Sequence, residues 1–375
     1  GGRMNDTVVQ FSWIPVAILL TSLLPGLVIF GLREHQVRLR TWLNMAGAIT
    51  KVGFVIALVP PVTSGLRLEY RYELLPGIDL LLITDPLALL FVGLSTLLWL
   101  LTTIYAIGYL RGSANRSRFF GFFSLCVTAT VGIALSGNLI TFLLFFEVLT
   151  LVTYPLVAHR GTPKALRAAR TYLAYTVTGG IVLLGGVAWL TAVVGPVEFR
   201  ARGAAEVAEL AAASPGVAAG IFATLIAGLA VKAALVPLHG WLPIAMVAPA
   251  PVSALLHAVA VVKAGVFGIV RVIHDVYGVE HAANLGVLTP LAVLAGITIV
   301  YGSVRALAQD ELKSRLAYST ISQLSYITLG VSLFAATATT GGIVHLVHQG
   351  LMKVSLFFCA GLFAEVLGLT RVSQL

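Results

Sequence analysis

The sequence predicts an all-α, polytopic membrane protein, and three features carry that prediction. Its 375 residues are 58% hydrophobic and only 10% charged, with mean hydropathy +0.98. Soluble domains carry roughly 25% charged residues, so this chain cannot cover itself with water-soluble groups. The apolar residues fall in continuous runs of about 20, the length a helix needs to cross a bilayer core. They do not alternate with polar residues, as barrel strands would. The arginines gather between the runs, where they orient a chain in a membrane.

Eleven runs stand out: Ser12–Phe30, Trp42–Val62, Asp85–Ile107, Arg118–Leu135, Asn138–Ala158, Thr171–Val194, Val217–Leu238, Pro251–Ile273, Asn284–Leu307, Arg315–Phe334 and Gly341–Ala364. Alternate connections carry Arg33, Arg38 and Arg40, then Arg111, Arg116 and Arg118, then Arg160, Lys164, Arg167 and Arg170, then Lys313. The other connections carry Glu69, Glu73 and Asp79, then Glu198, Glu206 and Glu209, then Asp275 and Glu280. The positive-inside rule therefore expects an inner (plasma) membrane protein with its amino terminus outside. The stretch Thr63–Thr84 alternates apolar and charged residues and predicts an external hairpin. Ala204–Ala213 predicts a short surface helix. Gly1–Arg3, ahead of Met4, read as tag, vector or upstream residues. The first run has no small-residue cleavage site after it, so no cleavable signal peptide is expected.

Composition also excludes whole classes. A formal charge of +9 would suggest nucleic acid in a soluble protein, but membrane orientation accounts for it here, and no nucleic-acid partner is expected. Cys126 and Cys359 lie far apart in apolar runs and form no CxxC pair, which argues against iron–sulfur, zinc and disulfide frameworks. There is no HExxH, and His345 and His348 lack a nearby carboxylate on their helix, so no metal site is expected. No phosphate loop or dinucleotide fingerprint occurs, and no cofactor is expected.

The charges inside the runs are the candidates for function. Four of the six lysines (Lys51, Lys232, Lys263, Lys353) lie in spanning segments, whereas the arginines keep to loops and helix ends. A desolvated lysine can release its proton; arginine cannot. Glu147 lies mid-helix in "TFLLFFEVLTLVTYP". Such groups cost roughly 2.5–3.5 kcal/mol each on insertion scales and mark ion or proton pathways. The plainer reading for Glu147, Lys232 and Lys263 is a structural ion pair. For Lys51 it is snorkelling, or pairing with a neighbouring protein of the same complex. Asp85, ahead of Pro86, reads as a helix cap.

Local sequence sharpens three of these. In "AVKAALVPLHGWLP", Pro237 removes a backbone donor and clashes with the carbonyl of Ala233. With Gly240 and Pro243 following, the seventh helix should break between Ala233 and Pro243. Broken membrane helices are tolerated where they line hydrated cavities and recur at transporter ion sites. In the eleventh run His345, Gln349 and Lys353 share a face at i, i+4, i+8, with His348 beside it. In the tenth, Ser319, Ser322, Gln323 and Tyr326 form a polar face that suits a hydrated wall. His257 and Lys263, six apart in the eighth, do not share a face.

The stretches "FFEVLTLVTYPLVAH", "KAALVPLHGWLPIAMVAPAPVSALLHAVAVVKAG", "ELKSRLAYSTISQLSYI" and "HLVHQGLMKVSLFFCAG" together resemble the antiporter-like subunits shared by Mrp-type cation/proton antiporters, respiratory complex I and membrane-bound hydrogenases. "HRGTPKALRAARTYLAY" is most similar to the D-type subunits of Mrp antiporters. The resemblance runs from Asp85 onward. It implies a fold of about fourteen helices with two inverted five-helix repeats. On that plan 1–117 is an N-terminal three-helix region, 118–274 the first repeat and 284–375 an incomplete second repeat. The second broken helix would follow Leu375, so the chain reads as part of a longer gene product. The resemblance also implies proton translocation through Glu147, Lys232, Lys263, His257, His345 and Lys353. Gln349 stands where many relatives place a second histidine. Glu147 near Lys232 would hold the lysine charged; a unit pair at 4 Å is worth about 4 kcal/mol at an effective dielectric near 20. The implied function is cation exchange for protons, with Na+ as the cation, among other membrane subunits in a bilayer. The chain would then be a transporter subunit. The alternative is the non-redox pumping subunit of a complex I-like NADH:quinone oxidoreductase or a membrane-bound hydrogenase.

Overall fold

The computed structural model describes residues 8–375; Gly1–Arg3 lie outside the described residues. The chain divides into two units, Gly1–Thr153 and Tyr154–Leu375.

In the first unit, β1 (Val8–Phe11) precedes helices α1 (Ile14–Phe30) and α2 (Val37–Thr63). Strands β2 (Leu66–Leu75) and β3 (Ile78–Thr84) form the expected hairpin through the Pro76–Gly77 turn. The sequence reading missed β1, which adds to β2 in parallel and completes a three-stranded sheet in the order β1-β2-β3. Helix α3 (Pro86–Tyr109) begins where the Asp85 carboxylate accepts the Ala88 N–H at 2.7 Å, the capping role expected of Asp85. Then follow α4 (Arg116–Leu135) and α5 (Leu139–Val157). Asn115 makes no side-chain cap for α4. The Glu34 carboxylate, from the α1–α2 connection, accepts the N–H groups of Arg116 and Ser117 at 3.1 Å each instead. An anion at a helix N-terminus satisfies orphan donors and complements the helix dipole.

The second unit opens with α6 (Pro163–Val194), α7 (Ala205–Ala213) and α8 (Pro215–Lys232). Helix α6 starts eight residues earlier than its apolar run because Thr162 caps Ala165 at 3.1 Å and the first turns are basic rather than apolar. Helix α7 is the expected surface helix. Short α9 (Trp241–Ile244) and α10 (Ala250–Ala254) lead to a π-helical turn, Leu255–Val259. Helix α11 (Val261–Arg271), a second π-helical stretch Val272–Tyr277, α12 (Val279–Asn284), α13 (Leu288–Leu307), α14 (Leu312–Ser332) and α15 (Ala336–Leu367) complete the unit.

Each of the eleven expected runs is built on helix. Nine helical spans among the described residues are long and apolar enough to cross a bilayer. The other two are α1, only 17 residues long, and α14. Helix α14 carries polar residues on both sides, with Ser322, Ser325 and Ser332 buried and Gln323 and Tyr326 toward its outer side, which lowers its average hydropathy. In the seventh run the helix stops at Lys232, short of the run's end at Leu238, at the break expected from Ala233 onward.

Candidate functional site

The seventh helix is interrupted where the sequence predicts. Ala234 takes a left-handed φ of +56°, the Val236–Pro237 bond is cis, and helix resumes only at Trp241. Freed backbone groups find other partners: Val236 N–H donates to Thr298 Oγ1 at 3.2 Å, and the Trp241 indole N–H donates to the Val231 carbonyl at 2.8 Å. Lys232 is fully buried as the last residue of α8, where a cation complements the helix C-terminus. Gly265 of α11 packs directly on this end: a Cβ there would lie 2.7 Å from the Lys232 carbonyl carbon. Any side chain at 265 would push α11 off the break.

Helix α15 gathers the remaining candidates. Lys263, fully buried in α11, donates from Nζ to the Leu346 carbonyl of α15. One turn on, Gln349 Nε2 donates to the His257 carbonyl at 3.0 Å. His257 is fully buried, its ring 4.5 Å from that of Phe357, and neither ring nitrogen has a protein partner. His345 Nε2 lies 2.9 Å from Gln323 Oε1 of α14. Lys353 donates to Ser319 Oγ at 2.6 Å. The i, i+4, i+8 stripe thus joins the π-helical turn, through Gln349, to α14, through His345 and Lys353, while the Leu346 carbonyl beside it takes the bond from α11. The extra residue of a π-helix turn loosens the backbone ladder, which leaves the His257 carbonyl for Gln349. A cavity of about 560 Å³ between α14 and the first turns of α15 reaches Gln323 and His345.

Other expected lining residues lie elsewhere. His348 is exposed on the far side of α15. Ser322 is buried but bound to Ser303 at 2.8 Å and to the Ile299 carbonyl at 3.0 Å, so it ties α14 to α13. Of the expected break residues, Pro237 and Gly240 lie in the interruption and Pro243 in the short α9 that follows it. Glu147 is half-buried in α5, in the first unit. Among the described residues no cluster of His, Cys, Asp or Glu could hold a metal ion.

Sequence reading missed the ion pair of buried Arg271 with half-buried Asp275, 2.7 Å apart. The Arg271 guanidinium also lies 5.2 Å from the Phe199 ring and 5.1 Å from the Phe267 ring. The i, i+4 spacing was a signal for it. It was missed because arginines at helix ends ordinarily serve as membrane anchors.

The family model for NADH:quinone oxidoreductase/Mrp antiporter membrane subunits matches residues 136–371, and a model for the N-terminus of complex I chain 5 matches residues 77–120. The chain belongs to this antiporter-like family. It is 35% identical to the A/B component of a probable K(+)/H(+) antiporter of Rhizobium meliloti, over 88% of its own length and 33% of the relative's. It is 32% identical to NAD(P)H-quinone oxidoreductase chain 4 of a Synechococcus over 95% of its length and 66% of the relative's. Its fold superposes on a chain of the Mrp complex from Dietzia sp. with TM-score 0.83 and 26% identity, over 97% of this chain and 67% of that one. The chain spans between about a third and two thirds of the curated relatives it matches, from 33% to 66%. Family membership agrees with the resemblance read from the motifs around Glu147, Lys232, Lys263 and Lys353.

Proposed function

We propose that this chain carries protons across a membrane as an antiporter-like subunit, exchanging them for Na+ within a multi-subunit Mrp-type complex. The observation that carries the proposal is the polar line through α15, in which Lys263, Gln349 and Lys353 are bonded to three different elements inside otherwise apolar packing. Lysines there cost roughly 2.5–3.5 kcal/mol each and mark ion or proton pathways, and each has a neutral acceptor that can hold either protonation state. Glu147 and Lys232 supply the charge whose rearrangement drives proton release in this reading, Lys263 relays the proton with His257 preceding it on the chain, and His345 and Lys353 continue the route. The chain enters the inner membrane with its amino terminus outside, in agreement with the loop charges. A second reading, a pumping subunit of a quinone-reducing complex, draws support from the 32% identity to an NAD(P)H-quinone oxidoreductase chain. The proteins that co-purify with the native complex separate the two.

The test is Lys263 in the full-length protein assembled with its partners. Lys263→Ala is expected to abolish exchange in membrane vesicles without preventing assembly. Lys263→Arg is expected to impair it as well, because arginine keeps the charge and cannot release a proton. Normal exchange by the Arg variant would refute the relay role of Lys263.

A further inference from the structure

Lys51 lies outside the machinery just described, near the middle of α2 in the N-terminal helices. It is 0% exposed, so its ammonium does not snorkel to a headgroup as a membrane anchor does. Its Nζ donates to Ser22 Oγ of α1 at 2.8 Å and sits 4.8 Å from the centre of the Trp99 ring of α3. Ser22 Oγ in turn lies 2.7 Å from Thr128 Oγ1 of α4. Gly47, one turn before Lys51, makes the reach short: a Cβ there would lie 2.6 Å from the Thr21 carbonyl oxygen, so α1 and α2 touch at that level.

No carboxylate on these four helices answers this lysine. Helix α1 contains no ionisable residue; those of α3 are Tyr105 and Tyr109; those of α4 are Arg116 and Arg118 at its start and Cys126. Along α2 itself the neighbouring charge is Arg40, eleven residues away or about 16 Å along the axis. An ammonium held by one hydroxyl and one ring face is poorly compensated in a low-dielectric interior. Unlike an arginine, it can escape that state by losing a proton.

A polar path leads from it to the arginine-rich end of the helices. Arg40 and Asn44 share the buried face of α2 with Lys51. Ser117, Ser124 and Thr128 share one face of α4, and Arg40 donates to Ser117 Oγ at 2.9 Å. The Asn44 amide nitrogen, Ser124 Oγ, Thr102 Oγ1 and Thr103 Oγ1 are buried with no protein partner. Buried polar groups are nearly always satisfied, by ordered water where protein does not serve. Four such groups on three adjoining helices suit a file of water.

We propose that Lys51 is a further proton-exchanging group, a side site in the N-terminal helices that takes up and releases a proton through Ser22, Thr128 and water toward the Arg40 end. On release, an Nζ–H bond breaks and its proton passes to the Ser22 hydroxyl, which gives its own proton to Thr128 and so to water; the ammonium becomes a neutral amine. Uptake runs in reverse.

The decisive measurement is a proton titration of the purified complex, wild type against Lys51→Met, between about pH 5 and pH 9, where an ordinary lysine does not titrate. The expected result is about one proton fewer per complex in the variant, and the same difference in a Lys263→Ala background. The titration therefore reads Lys51 whether or not the proposed transport path holds. Superimposable curves would overturn the proposal, because a lysine fixed as cation or as amine gives no difference. With Lys51 intact, Ser22→Ala combined with Thr128→Val is expected to keep the titrating proton but slow its uptake after a pH jump. Unchanged uptake would remove the hydroxyl path.

Discussion

Gln349 holds the backbone carbonyl of His257 at 3.0 Å across two helical elements, and the carbonyl it holds lies within a π-helical turn. A side chain on α15 therefore fixes the shape of the segment that leads to Lys263. Gln349→Leu keeps the volume and removes the donor. It is expected to destabilise the protein by roughly 1–3 kcal/mol, the cost of an unsatisfied buried carbonyl, and to slow exchange. Thermal melting of the assembled complex checks the first, vesicle exchange the second. A Gln349→Leu variant as stable and active as wild type would show that the turn holds without it.

Ser319 is the near partner of Lys353, whose other acceptor, the Leu316 carbonyl, is a weak 3.5 Å away. Ser319→Ala is expected to slow exchange on the order of ten-fold, from the loss of about 1.4 kcal/mol, and to displace its pH profile. Ser319→Thr keeps the hydroxyl and is expected to restore both. A pH profile identical to wild type in the Ala variant would confine Ser319 to packing.

Glu147 and Lys232 are proposed to act on one proton step. Glu147→Gln and Lys232→Met, alone and combined, are therefore expected to be strongly non-additive: the double variant is no slower than the slower single one. Rate losses that multiply would assign the two residues to independent steps.

Glu34 supplies a pH-dependent contribution outside the membrane segments. Burial raises its pKa, but the N–H groups of Ser117 and Arg116 and the charges of Arg40 and Arg116 outweigh that and hold it below its ordinary value of 4.5. Its contribution is present above that value and is lost as pH falls through the depressed one. The carboxylate is 47% exposed, so salt screens it and the effect stays under about 1 kcal/mol. Melting temperatures of wild type and Glu34→Gln are expected to differ slightly near neutrality and to converge in acid. A gap that persists in acid would assign the effect to shape rather than charge.

The sequence by itself determined the helices, because crossing a bilayer demands about 20 apolar residues in a row and that demand is written locally. It also determined the break after Lys232, since the geometry of Pro237 acts within one turn, and the stripe of His345, Gln349 and Lys353, since helical periodicity is local. Tertiary structure alone decided what each polar group meets. Ser22 and Lys51 are 29 residues apart in sequence, and Gln349 and His257 are 92 apart, so no spacing rule links them. It likewise turned His348 outward and tied Ser322 to α13. The π-helical turn at His257 was equally hidden, because its shape is held by a side chain from another helix. Membrane helices and their proline breaks follow from neighbours in the chain; the pairing of buried polar groups, and the π-helical turn they hold, follow from neighbours in space.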